Sequence, residues 1–185
     1  AFDTDAHAAH YLADARATLA KYKTLAEGAM AQMADDALFA VPGGDPDTNS
    51  VAVVVRHMVG NMRSRWTDFL TTDGEKPDRD RDREFEPYDA ARATRAVLLG
   101  EWESGWRIVF AAIDALSPAD LGRTVTIRGE PLTVTQAITR QIAHYSYHVG
   151  QIVYAAKLLR AADWKTLSIA RGASRQFNER PGPKS

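Results

Sequence analysis

Apolar residues recur at three- and four-residue steps through most of the chain, the spacing of one face of an α-helix. The first such run carries Tyr11, Leu12, Ala15, Leu19, Tyr22, Leu25, Ala26, Ala29, Met30 and Met33, and predicts a helix over roughly 5–34. VPGGDPDTN at 41–49 is rich in turn residues and reads as a connection, after which Asn49 or Ser50 caps a second helix over 50–71. Val51, Val54, Val55, Met58, Met62, Trp66 and Phe69 form its stripe.

The next segment, TTDGEKPDRDRDREFEPYD, is strongly charged and broken by Gly74, Pro77 and Pro87, so it reads as a long crossover that either faces water or covers one end of the helices. A third helix is predicted over 89–116, with Val97, Leu98, Trp102, Trp106, Val109, Phe110 and Ile113 on its apolar side. VTIRGEPLTV alternates and turns at Gly129, which predicts a minor hairpin. Thr133 and Gln136 then form a capping box for a fourth helix over 133–161, in which Gly150, with no proline beside it, suggests close packing. The C-terminal tail has no sustained period. The expected fold class is all-α: an antiparallel four-helix bundle in one domain, 1–185, with a long crossover loop and the hairpin before the last helix.

Composition narrows the function. With 185 residues, 45% of them hydrophobic and 25% charged, the chain is long enough for one substantial core. A net charge of −1 provides no field for gathering nucleic acid, and no run of about 18 apolar residues predicts a membrane span. Neither a basic nor a continuous apolar leader pattern opens the sequence, so a cytoplasmic location is expected. The absence of cysteine excludes disulfides, thiolate ligands and cysteine nucleophiles. Any metal held by side chains must therefore use His, Asp or Glu.

His144 and His148 stand four apart on the fourth helix, one turn from each other on one face, where two imidazoles can share an ion at roughly 2.0–2.1 Å. HYSYH lacks the glutamate directly after its first histidine that a zincin uses as base. A third ligand must come from elsewhere. His57, at the border of the second helix's stripe, is the best placed, although a histidine there also suits a packed core edge; His7 and His10 compete from the first helix. Gln141 and Gln151 share the edge of the pair and can bond a ring nitrogen or water, and Asn61 lies one turn after His57. Among the loop acids, Asp73, Glu75 and Glu130 are the ones expected near the site if the crossover covers it. Arg171 and Arg175 in the tail suit an anion at the mouth, an exposed tail or a dimer contact equally. Trp66, Trp102 and Trp106 read as core mass.

The stretches VAVVVRHMVGNMRSRWTDFLTTDGEKP, EWESGWRIVF, VTIRGEPLTVTQAITRQIAHYSYHVGQIVYAAK and WKTLSIARGAS together resemble a branch of the DinB-like superfamily, also described as YfiT-type metal-dependent hydrolases, over nearly the whole chain. The resemblance implies a four-helix bundle with a three-histidine metal site, one ligand from the second helix and two from an HxxxH on the fourth. Those positions are here His57, His144 and His148. It further implies zinc or nickel as the divalent ion, a homodimer, and an activity of hydrolase or thiol S-transferase type, the latter with a low-molecular-weight thiol as cosubstrate. A non-catalytic metal- or small-ligand-binding protein is the alternative. No residue of the sequence is singled out as catalytic.

Overall fold

The computed structural model describes residues 4–45, 47–89 and 93–179. They are mostly helical, with five α-helices and one two-stranded hairpin. The long helices are α1 (Thr4–Met30), α2 (Val51–Trp66), α3 (Arg95–Asp114) and α4 (Val134–Arg160); α5 (Ser174–Asn178) is a single short piece in the tail, which sequence periodicity did not indicate. Among the described residues, no helix is long and apolar enough to cross a membrane.

Each of the last three long helices starts on a side-chain cap that satisfies an otherwise orphaned backbone N–H. Ser50 Oγ accepts from the Val53 amide at 3.2 Å and Thr94 Oγ1 from Val97 at 3.3 Å. Thr133 and Gln136 exchange two bonds in the predicted capping box. Three boundaries differ from the periodicity, the first being the end of α1 at Met30, short of 34. α2 stops at Trp66, short of 71, because Thr67 turns extended and Asp68 takes a left-handed φ of 49°. α3 is capped by Thr94, so its first turn lies after the predicted start at 89; residues 90–92 of that prediction lie outside the described residues.

Side-chain bonds fix the helix directions. Tyr11 on α1 bonds the Thr135 carbonyl at the start of α4, and Gln32 just past α1 meets Lys165 just past α4, so α1 and α4 run the same way. Arg16 meets Asp114, and Arg95 meets the carbonyls of Met30 and Met33, so α3 runs against α1. Trp66 meets Tyr145 while Val51 and Val54 share a cavity wall with Tyr154 and Ala155, so α2 runs against α4. It follows that α2 and α3 are parallel. Neighbouring helices are thus not uniformly antiparallel, and the physical reason for the long crossover is plain. A 16-residue helix is about 24 Å long, and the chain must return over that whole height before α3 can start. On the way it passes the middle of α2.

The four long helices close over one core, in which Trp102, Trp106, Tyr145, Leu19, Met30, Met58, Met62, Ile138 and Ile152 are completely or almost completely buried. Trp66, Trp102 and Trp106 are core residues, as their spacing predicted. α2 and α3 approach closely at Gly105, where a Cβ would lie 2.8 Å from Met62 Sδ. Gly150, by contrast, is exposed and a Cβ there would meet nothing within 4 Å, so the expectation that it marks close packing is corrected. The hairpin pairs β1 (Thr124–Ile127) with β2 (Glu130–Thr133). Its two-residue turn, Arg128 and Gly129, has φ of 56° and 74°, the positive pair that lets a tight turn follow the strand twist. Val125 and Ile127 point from β1 into the core.

Candidate metal centre

His57 projects from the middle of α2, and His144 and His148 from adjacent turns of α4. Because α2 and α4 pack side by side, the three rings converge: their centroids are 4.6 Å apart for His144 and His148, 4.8 Å for His57 and His148, and 5.5 Å for His57 and His144. One nitrogen from each ring belongs to a set whose members all lie within 4.8 Å of one another. His57 and His148 are buried and His144 is half-buried. His7 and His10 stand on the exposed start of α1 and do not join them.

The ring orientations follow from their hydrogen bonds. His57 Nδ1 lies 2.8 Å from Glu84 Oε2, and the same carboxylate is gripped by Arg79, whose Nε and Nη2 donate at 2.8 and 2.9 Å. Burial would raise the Glu84 carboxyl, but its bonds to His57 and Arg79 outweigh that and hold it below the ordinary range. An ionised carboxylate can only accept, so a proton sits on His57 Nδ1, and in the neutral ring it is Nε2 that carries the lone pair. His148 Nδ1 lies 2.8 Å from Gln151 Oε1, an amide oxygen that likewise only accepts, so His148 also presents Nε2. This is the arrangement in which metal-binding histidines are held by an acceptor behind the ring.

His148 Nε2 and His144 Nε2 face each other at 3.0 Å. Two nitrogens roughly 2.0–2.1 Å from a shared ion are about 2.9 Å apart at a right angle and about 3.3–3.4 Å at the tetrahedral angle, so the spacing fits a common ion. Burial, together with the imidazoles of His148 and His57, pushes His144 down to about 3. His148 is also held below its usual value, by burial, against the bond to Gln151. Both rings are neutral at pH 7, the form that ligates.

Other residues flagged by sequence fall differently. Gln151 bonds a ring nitrogen as expected, whereas the Gln141 oxygen is buried with no hydrogen-bond partner among the described residues. Asn61 Oδ1 accepts from the Tyr145 hydroxyl at 3.1 Å, and that hydroxyl in turn accepts from Trp66 Nε1 at 2.9 Å. Asn61 therefore belongs to a buried chain beside the histidines. The expected loop acids have other partners. Asp73 accepts from the Arg128 and Gly129 amides of the hairpin turn, Glu75 from Arg65 and Arg128, and Glu130 pairs with Arg140. The acid at the centre is Glu84, which sequence reasoning missed; its only sequence signal is the apolar Phe85 beside it, whose ring lies 4.8 Å from that of His57. Arg171 and Arg175 are exposed, and the tail before them packs on the end of α1, with Leu167 against Gly28.

No curated protein matches this chain. One family does, over residues 6–173, a span that contains all three histidines, Glu84 and Gln151: the chain belongs to the family described as "Protein of unknown function (DUF1572)".

Proposed function

We propose that the protein is a metal-dependent enzyme of the DinB-like type, a four-helix bundle that holds one divalent ion, zinc or nickel, through His57, His144 and His148. The convergence of three imidazole nitrogens within 4.8 Å, two of them with their Nδ1 protons committed to Glu84 and Gln151, carries the reading. Three neutral nitrogen ligands leave the ion's charge uncompensated and its coordination incomplete, so when bound it supplies Lewis acidity to a water or a thiol. The chain's own part is to fix ring orientation and to keep bulk water off His57 and His148. The resemblance described above admits both thiol transfer, with a low-molecular-weight thiol as cosubstrate, and hydrolysis, and the thiol titration below separates them.

A cytoplasmic homodimer is part of the same reading. Its support is the outer face of α4, where Tyr147, Tyr154 and Leu158 are 63, 71 and 54% exposed and follow one another at seven- and four-residue steps. Aromatic and aliphatic side chains in one such stripe suit a second helix surface.

Metal analysis after reconstitution is expected to give about one ion per chain. Titration of the cobalt-loaded protein with a low-molecular-weight thiol is then expected to raise a thiolate-to-metal absorption band. Stoichiometric metal with neither that band nor an exchangeable water in relaxation measurements favours the non-catalytic alternative. Absence of metal binding rejects the site itself.

A further inference from the structure

Glu84 comes to His57 from the crossover, on a single 3-10 turn over Asp82–Phe85, and its placement depends on a glycine in the middle of α2. A Cβ built on Gly60 would lie 2.1 Å from Glu84 Oε1, 2.6 Å from Cδ and 3.3 Å from Cγ, so the three nearest atoms all belong to this one side chain. No side chain larger than hydrogen at position 60 is compatible with the carboxylate where it sits. A glycine inside a helix is a poor choice for helix stability, and here its neighbour gives the reason. Three residues before it on the same helix, His57 receives the carboxylate that Gly60 admits.

The clamp on the other side is equally specific. Arg79 grips both oxygens of Glu84 with its own side chain only 5% exposed, and Arg56 fastens the backbone by donating to the Glu84 carbonyl at 2.8 Å. Arg79 balances the charge of the carboxylate, so its burial does not leave an unpaired ion. Phe85, the next residue, lies against the His57 ring, and the Arg81 guanidinium lies over the Phe85 ring.

We propose that Glu84 is a positioning residue for His57, seated by Gly60 and clamped by Arg79, and that it sets the tautomer and hence the metal affinity of the one ligand supplied by α2. The proposal rests on the metal reading given above. Acceptors behind a ligating histidine are worth 10–100-fold in metal affinity, and among the described residues Glu84 is the only such acceptor that comes from outside the ligand's own helix.

The test uses the full chain with zinc alone, titrated in competition with a chromophoric chelator, on the native protein, G60A, E84A, E84Q and G60A/E84A. G60A and E84A are each expected to weaken zinc by 10–100-fold. The double variant is expected to be no weaker than E84A, because an alanine at 60 has nothing left to displace. E84Q, which keeps an acceptor oxygen, is expected to recover part of the loss. In the metal-free proteins, long-range proton–nitrogen spectra of the imidazoles are expected to report a protonated Nδ1 for His57 in the native chain and in E84Q, and a mixed tautomer in E84A and G60A, which a merely structural role would not move. Native affinity in G60A, or losses in G60A and E84A that add in the double variant, overturn the proposal. If the native chain binds no zinc, the metal reading fails while the tautomer spectra still decide the role of Glu84. The E84A and E84Q pair adds no atoms and carries the test alone should G60A fail to fold.

Discussion

Tyr145→Phe removes one oxygen from the centre of the core and disconnects two buried groups. The hydroxyl accepts from Trp66 Nε1 at 2.9 Å and donates to Asn61 Oδ1 at 3.1 Å, and the three residues are 0, 2 and 4% exposed for Tyr145, Trp66 and Asn61. Burial keeps the phenol well above its ordinary value, so it stays protonated and donates throughout the accessible pH range. Phenylalanine fills nearly the same volume, which makes cavity cost small. The penalty is then the indole N–H and the amide oxygen left without partners, at about 1–3 kcal/mol each, of which partial relaxation recovers some. The expected loss is about 2–4 kcal/mol, or roughly 5–12 °C in Tm for a chain of this length. Urea denaturation followed by tryptophan fluorescence and by circular dichroism reads it, with an unchanged slope expected if only the native state is altered. Trp66→Phe in the Tyr145→Phe background is expected to cost less than in the native chain, since the N–H is by then already orphaned. A loss under about 1 kcal/mol, or strict additivity of the two changes, refutes the account of the buried chain.

His144→Ala or His148→Ala is expected to abolish stoichiometric metal by elemental analysis with helix content intact, while His7→Ala and His10→Ala leave it unchanged; retention in both of the first pair rejects the ligand assignment. Asp73 accepts from the Glu75, Gly129 and Arg128 amides and is held down to about 2. Its folded value lies below the unfolded one of about 3.9, so its contribution is complete above that pH and is lost as pH falls through about 2. Asp73→Asn is therefore expected to flatten the acid limb of stability between about pH 4 and 2, and superimposable limbs speak against it. Light scattering at micromolar concentration is expected to give a dimer for the native chain and a monomer for the variant with Tyr154→Glu and Leu158→Glu; a 20.3 kDa species for the native chain removes the dimer.

Local patterns were readable because they depend on neighbours in sequence. The capping box at Thr133, the two-residue turn at Gly129 and the one-turn relation of His144 to His148 all follow from positions a few residues apart, and each stands in the structure as the spacing implied. His57 was accessible as well, since the border of an apolar stripe on α2 faces the neighbouring helix. Helix direction was not, because periodicity has no sign: the parallel course of α2 and α3 emerges only from pairs such as Arg16 with Asp114. Glu84 was obscured for a related reason. It lies among charged residues with no period, and its burial is decided by Arg79 and by the space above Gly60, neither of which marks it in the sequence. The two glycines illustrate the same limit. Gly105 and Gly150 are both helical, yet only Gly105 has a side chain from another helix pressed against it.

The stretch between Asp73 and Glu84 is pinned at both ends, to the hairpin amides at one and to His57 at the other. It therefore acts as a measured span whose length carries information apart from its composition. A residue inserted or deleted there is expected to shift the chain between its two ties, and the displacement to reach the carboxylate behind His57. In divergent sequences of the family, gaps should consequently avoid this interval and gather where neither end is tied, while within it Arg79, which grips Glu84, should resist exchange. Spacing is the heritable quantity, and a comparison of loop lengths reads it directly.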